Sequence, residues 1–246
     1  MPSEASSAGT INRGNITYFP VVPGRLEFSS RVRRYILEHR PPVIAVELPS
    51  SLDREYSRAL ERMPRMSVIV IPDPEDEEER ATYIPIEPAD PFIEALRLAA
   101  EIGAEVVFLE PATAERPHIA DTYPEPYSIE LIGIEPYVEA YRLHPQPRTP
   151  EIESHAAAMA WKLQGANPLA PVLAVVSLNM LDALLDAMET PQDEPAPPRT
   201  KLFHSAELFN LHPDCLAEVT SEPPYYQRLY EDARERGISP IAVDRP

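Results

Sequence analysis

The stretch VIAVEL, residues 43–48, decides the fold of this chain. It opens with four apolar residues in succession, which is typical of a strand that is buried on both faces of a sheet. Pro49 ends the apolar run, and Ser50 with Asp53 three residues later predicts that a helix begins there. A buried strand followed directly by a helix is the repeating unit of parallel α/β sheets.

The same alternation extends to both sides of this stretch. Upstream, residues 16–22 predict a strand, and Phe28, Val32 and Ile36 then recur at helical spacing. Downstream, residues 66–71 (MSVIVI) predict a third strand. The order predicts an α/β fold: a mainly parallel sheet with helices on both faces and residues 43–48 near its centre.

Further regular elements follow an acidic stretch at residues 72–80, which is predicted to be a solvated loop. Asp90 and Pro91 predict a helix that ends at Gly103, and a strand follows at residues 105–110. A second block is predicted as a helix from Thr149 to Gly165, a strand at 172–178 and a helix at 181–188. Within the Pro- and Tyr-rich segment 112–147, residues 139–144 fit either a helix or a strand.

Composition suggests four segments. Residues 1–15 are predicted to be a disordered tail, and residues 16–189 an α/β domain. Residues 190–200 have the composition of a Pro-rich linker or loop. Residues 201–246 form a C-terminal segment, with a helix predicted at 222–237 and a strand predicted to begin at 241. Because that strand begins so close to Pro246, we expect the chain to be truncated.

Charge and residue usage argue against several classes of function. The chain has 40 acidic and 22 basic residues and a net charge of -18, which predicts no binding to nucleic acid or to anionic membranes. The single cysteine, Cys215, predicts no zinc site, and widely spaced glycines predict no nucleotide site. Without a signal segment or an apolar run of membrane length, a cytoplasmic location is expected. Tyrosines and prolines at 123–127 and 223–226 would suit an unknown protein partner or would pack against a Pro-rich surface of this chain.

Acidic residues end three of the predicted strands: Glu47, Asp73 and Glu110. Since ligands bind beyond the carboxyl ends of parallel strands, these carboxylates would face one rim and hold a divalent cation such as Mg²⁺ or Mn²⁺ if the strands are neighbours. Glu47 and Glu110, together with His155 on the inward stripe of its helix, are the candidate catalytic residues. The alternatives stay open: each acid caps a helix, pairs with a base or faces water, and His155 is a hydrogen-bonded core residue.

The order of segments resembles the TraB/ChaN-like hydrolase superfamily, which includes Tiki proteases and erythromycin esterases, and in particular its cytosolic bacterial members. The resemblance spans residues 16–189 and depends on ITYFPVVPGRLEFSSRVRRYILEHRPP (16–42), VIAVELPSSLDREY (43–56), ESHAAAMAWKLQ (153–164) and VLAVVSLNMLDALL (172–185). It implies catalysis by a Gly-x-x-His turn after the first strand, a glutamate ending the second strand, a polar helix position and a late histidine motif.

Only part of that catalytic set is present here. Glu47 matches the family glutamate, and His155 or Glu153 would occupy the polar helix position. Pro20 and Pro23 stand where the first turn would carry its glycine and histidine, and no histidine lies between His155 and His204. Two hypotheses follow: a non-catalytic scaffold or partner-binding domain, or a metal-dependent hydrolase that uses a carboxylate rim around Glu47.

Overall fold

The computed structural model describes residues 9–72, 81–111, 117, 119, 122–144, 146–196 and 205–237. It has a mixed α/β architecture with one mostly parallel five-stranded sheet and one antiparallel three-stranded sheet. The α/β class predicted from the sequence is therefore confirmed. None of the described helices is both long enough and apolar enough to cross a membrane.

The larger sheet contains the stretch that decides the fold. Its strands lie in the order β1 (Ile11–Arg13), β2 (Ile16–Val21), β7 (Val172–Ser177), β3 (Val43–Pro49) and β6 (Glu105–Glu110). The short β1 pairs antiparallel with β2, while the other pairs are parallel. Because β3 lies between β6 and β7 and is parallel to both, its predicted interior position is confirmed.

The helices match the predicted alternation closely. α1 (Leu26–His39) and α3 (Pro91–Ile102) pack against each other, and α6 (Pro150–Gln164) packs against β6 and α7 (Leu181–Ala187). Asp90 caps α3, and Thr149 caps α6, as their sequence positions predict. The helices are α1 (Leu26–His39), α2 (Asp53–Leu60), α3 (Pro91–Ile102), α4 (Ile129–Ile132), α5 (Ile134–Arg142), α6 (Pro150–Gln164), α7 (Leu181–Ala187), α8 (Leu216–Val219) and α9 (Pro224–Glu235).

The strand predicted at residues 66–71 exists as β4 (Ser67–Pro72), but its predicted place in the parallel sheet is wrong. β4 forms the centre of the small antiparallel sheet, between β5 (Ala81–Ile86) and β8 (Glu207–Asn210). A short apolar run indicates a strand without indicating its partners. No strand was predicted at β5, because a proline such as Pro85 argues against a strand. The structure tolerates Pro85 because β5 is an edge strand.

Three terminal and loop predictions need correction or completion. The predicted tail, residues 1–15, includes the edge strand β1 at its end. Residues 139–144, left open between helix and strand, lie mostly in helix α5. The C-terminal segment contributes β8 to the small sheet and α9 as a further helix. The strand predicted at 241–243 and the acidic residues 73–80 lie outside the described residues.

Candidate functional site

A cavity of about 560 Å³ lies beyond the carboxyl ends of β3 and β6, where part of the small sheet covers it. We call it the site cavity. Glu47, Glu110 and His155, the three candidate catalytic residues, all line it. Asp73, the third predicted metal ligand, lies outside the described residues. The position agrees with the rule that parallel sheets bind ligands at the carboxyl ends of their strands.

Glu47 is fully buried and is held by the neighbouring strand β7. The pairing of β3 with β6 shifts by one residue between Val46 and Pro49, so Glu47 lies in a bulge. Its carboxylate accepts hydrogen bonds from the backbone N–H of Ser177 at 2.6 Å and from the Ser177 hydroxyl at 2.6 Å. The residues at the N-cap positions of this turn and of α2, Pro49 and Leu52, make no side-chain cap hydrogen bond, and the alternative in which Glu47 caps the turn stays a prediction.

Glu110 and His155 approach the site cavity from β6 and α6. Glu110 is the last residue of β6, and its backbone carbonyl accepts a hydrogen bond from Lys162 Nζ at 2.6 Å. Burial lowers the pKa of Lys162, while the nearby Glu110 carboxylate opposes that shift. His155 is buried on the inward side of α6, as its helical position predicts. The structure thus brings these side chains to the same cavity as Glu47.

Two further carboxylates line the site cavity, and the sequence did not single them out as site residues. Glu87 accepts hydrogen bonds from the backbone N–H of Ser221 at 2.8 Å and from the side-chain amide of Gln227. Burial raises the pKa of Glu87 to about 7, and the negative charge of Asp90 acts in the same direction. Asp90 accepts from the N–H groups at the start of α3 and from the Gly24 N–H at 2.8 Å.

Gly24 and Ser221 meet at one wall of the site cavity. Gly24 has a φ of +67°, and a Cβ added there would overlap the Cβ and Oγ of Ser221. Two properties of glycine suit this position: it adopts the left-handed backbone without strain, and it has no side chain to overlap Ser221. Gly14 offers a comparison, because it has a φ of +62° with nothing within 4 Å of an added Cβ.

We expect Gly24→Ala to lower the free energy of unfolding by at least about 1 kcal/mol more than Gly14→Ala. Both variants place alanine in the left-handed region, but only the first also displaces Ser221 and weakens its hydrogen bond to Glu87. Urea denaturation of both variants gives the comparison. Equal losses would mean that the wall at Ser221 adjusts without strain.

The charge of the site cavity is its main chemical property. Glu47, Glu87, Asp90 and Glu110 line it, and the described lining residues include no lysine or arginine. Tyr56, Tyr83 and Phe92 add aromatic surface to its walls. Within the described parts of the chain, no group of three or more His, Cys, Asp or Glu side chains is arranged to hold a metal ion. The arrangement suits an organic cation, because carboxylates supply charge and aromatic rings supply polarisable faces.

Ser177 is the contact that the sequence analysis missed. It ends a strand in which every residue is buried, and its backbone and hydroxyl both donate to Glu47. The only available signal was a single hydroxyl at the carboxyl end of the apolar run VLAVVS. A buried hydroxyl needs a partner, so such a position predicts a polar neighbour on an adjacent strand.

Comparison with known proteins assigns no family to this chain. No family model, no curated protein and no solved structure matches it. The TraB/ChaN-like resemblance stays a prediction.

Proposed function

We propose that this chain is a non-catalytic binding domain that holds a small organic cation in the site cavity. The observation that carries the proposal is the gathering of four carboxylates and three aromatic side chains around one cavity of about 560 Å³. Cavities of this size hold metabolite-sized ligands. Ammonium and quaternary ammonium groups are recognised by this combination of negative charge and aromatic faces.

The hydrogen bonds of the carboxylates favour binding over catalysis. Glu47 accepts from Ser177, Glu87 accepts from Ser221 and Gln227, and Asp90 caps α3. Carboxylates fixed in this way are poorly suited to rearrange around a metal ion, which the carboxylate-rim hydrolase would require. The charges of the ionised carboxylates still add, and the low dielectric of a buried site strengthens the field that a bound cation would experience.

Several sequence-based predictions accompany this proposal. We retain the TraB/ChaN-like framework without the family histidines, helices on both faces of the larger sheet, and a cytoplasmic location as predictions. The packing of α1 with α3 and of α6 with α7 supports two separate helical layers. A non-catalytic role also agrees with the prolines at positions 20 and 23, since neither side chain can act as an acid or base.

The test compares choline with 3,3-dimethylbutan-1-ol, which has the same shape but no charge. We expect isothermal titration to detect choline binding and to show at least about tenfold weaker binding of the alcohol. Glu47→Gln keeps the size of the side chain but removes its charge, and it should weaken choline binding about tenfold. Glu38→Gln removes the same charge from an exposed position on α1 and should leave binding unchanged.

The metal-dependent hydrolase is the competing function, and the same samples test it. Its support is that Glu47, Glu110 and His155 line one cavity. Thermal melts with Mg²⁺ or Mn²⁺ should then show stabilisation of the wild type that Glu47→Gln abolishes. Metal stabilisation without choline binding would replace the proposed function with the hydrolase.

A further inference from the structure

A second cavity, of about 410 Å³, adjoins the site cavity. Pro23 and Ser221 line both cavities, so the two cavities meet at these residues. We call the second cavity the side cavity. Its other lining residues include Arg25, Tyr123 and Glu125. Gly24 packs directly against Ser221 beside this junction, because Gly24 has no side chain.

Arg25 gives the side cavity a charge that the site cavity lacks. Its side chain is 37% exposed, and its guanidinium lies 3.8 Å from Glu222 Oε1, which is longer than a hydrogen bond. Among the described residues, Glu222 is its ion-pair partner. Arginine has five N–H donors in a planar fork that matches a carboxylate. Within the described part of the chain, Arg25 therefore has N–H donors left over for an anionic group.

We infer that the two cavities are halves of one site and that its ligand is dipolar, with a cationic group in the site cavity and a carboxylate at Arg25. The inference rests on the proposed function, because it places the cation where that function requires it. The carboxylates of the site cavity would repel an anion, and Arg25 is the group that offsets this repulsion.

The neighbouring acids restrict which anion suits Arg25. Glu222 is buried 3.8 Å away, and Glu125 is exposed at the side cavity. Each further negative charge on a ligand would be repelled by these two carboxylates. A monoanionic carboxylate is therefore favoured over a phosphate, which carries more charge near neutral pH.

The test uses trimethylammonio carboxylates of increasing chain length, each paired with the trimethylammonio alcohol of the same length. We expect one length at which isothermal titration shows the carboxylate binding about tenfold more tightly than its alcohol. Arg25→Gln should remove that advantage and leave the affinity for the alcohol unchanged. Arg25→Lys, which keeps the charge but not the planar fork, should retain part of the advantage.

Arg54→Gln is the matched control, since Arg54 is an exposed arginine on α2. It should leave both affinities as in the wild type. If the alcohols bind as tightly as the carboxylates at every length, the dipolar inference is overturned while the proposed function stands. If neither series binds, the proposed function itself fails. Tighter binding of phosphocholine than of every carboxylate would overturn the choice of anion.

Discussion

Replacing Glu94 with glutamine is expected to lower the free energy of unfolding by about 3–5 kcal/mol. Glu94 is fully buried on α3, and its carboxylate binds arginines from three helices. Arg33 Nη1 of α1 donates to it at 3.0 Å, and Arg234 Nε of α9 donates at 3.0 and 3.1 Å. Arg97 Nη1, one turn along α3, lies 3.7 Å away.

The expected loss is large because the change removes the buried carboxylate that the three guanidiniums share, although Arg97 keeps its pair with Glu231 and Arg234 keeps its pair with Glu101. Burial by itself raises the pKa of Glu94, but the three guanidiniums oppose that shift and favour the ionised form. With a neutral amide in place of the carboxylate, the three guanidiniums repel one another. Water screens this repulsion poorly, because the side chains of Arg33, Arg97 and Arg234 are only 13%, 10% and 13% exposed. Breaking a buried pair costs more than the pair contributes, since the remaining charge stays desolvated.

Urea denaturation measures this loss, and Glu101→Gln is the matched control. Glu101 also pairs with Arg234, but its side chain is 48% exposed. We expect its replacement to cost less than about 1 kcal/mol. Faster amide hydrogen exchange in α9 should accompany the Glu94 change, because Arg234 anchors that helix to α3. A loss no greater than that of Glu101→Gln would show that the network adds little stability.

The sequence predicted the elements whose signals are local. An uninterrupted apolar run predicted β3, and Asp90 with Pro91 predicted the start of α3. The rule for parallel sheets also predicted that acids ending β3 and β6 face one region, and Glu47 and Glu110 do line one cavity. These predictions depended on where each strand ends and on the alternation of strands with helices, and both are visible in short stretches of sequence.

Features that depend on distant pairing could not be predicted. β4 pairs with β8 from the C-terminal segment, and no local pattern in MSVIVI indicates that partner. Glu87 becomes a cavity residue because Ser221 and Gln227 fold back onto it from the start of α9. In the sequence, Glu87 lies between Pro85 and Pro88 and shortly before Asp90, which is typical of an acidic residue in a solvated loop. Burial of such a residue follows from tertiary packing alone.

Glu87 should make stability depend on pH in the direction opposite to ordinary acid denaturation. Burial raises its pKa from 4.5 to about 7 in the folded chain. Between these values the folded protein holds a proton that the unfolded chain has released, so stability falls as the pH rises. Below the lower pKa, Glu87 is protonated in both states and its shifted pKa does not affect stability. Above the higher pKa, the shift lowers the free energy of unfolding by about 3 kcal/mol.

Glu87→Gln isolates this contribution from the many other carboxylates, because glutamine does not titrate. The free energy of unfolding of the wild type, minus that of the variant, should fall by about 3 kcal/mol between about pH 4.5 and pH 8. Urea denaturation across that range measures the difference, and a flat difference would contradict the raised pKa.

A bound cation favours the ionised form of Glu87, which lines the site cavity. Choline, whose charge does not change with pH, should therefore bind more tightly as the pH rises through about 7 and release a proton when it binds.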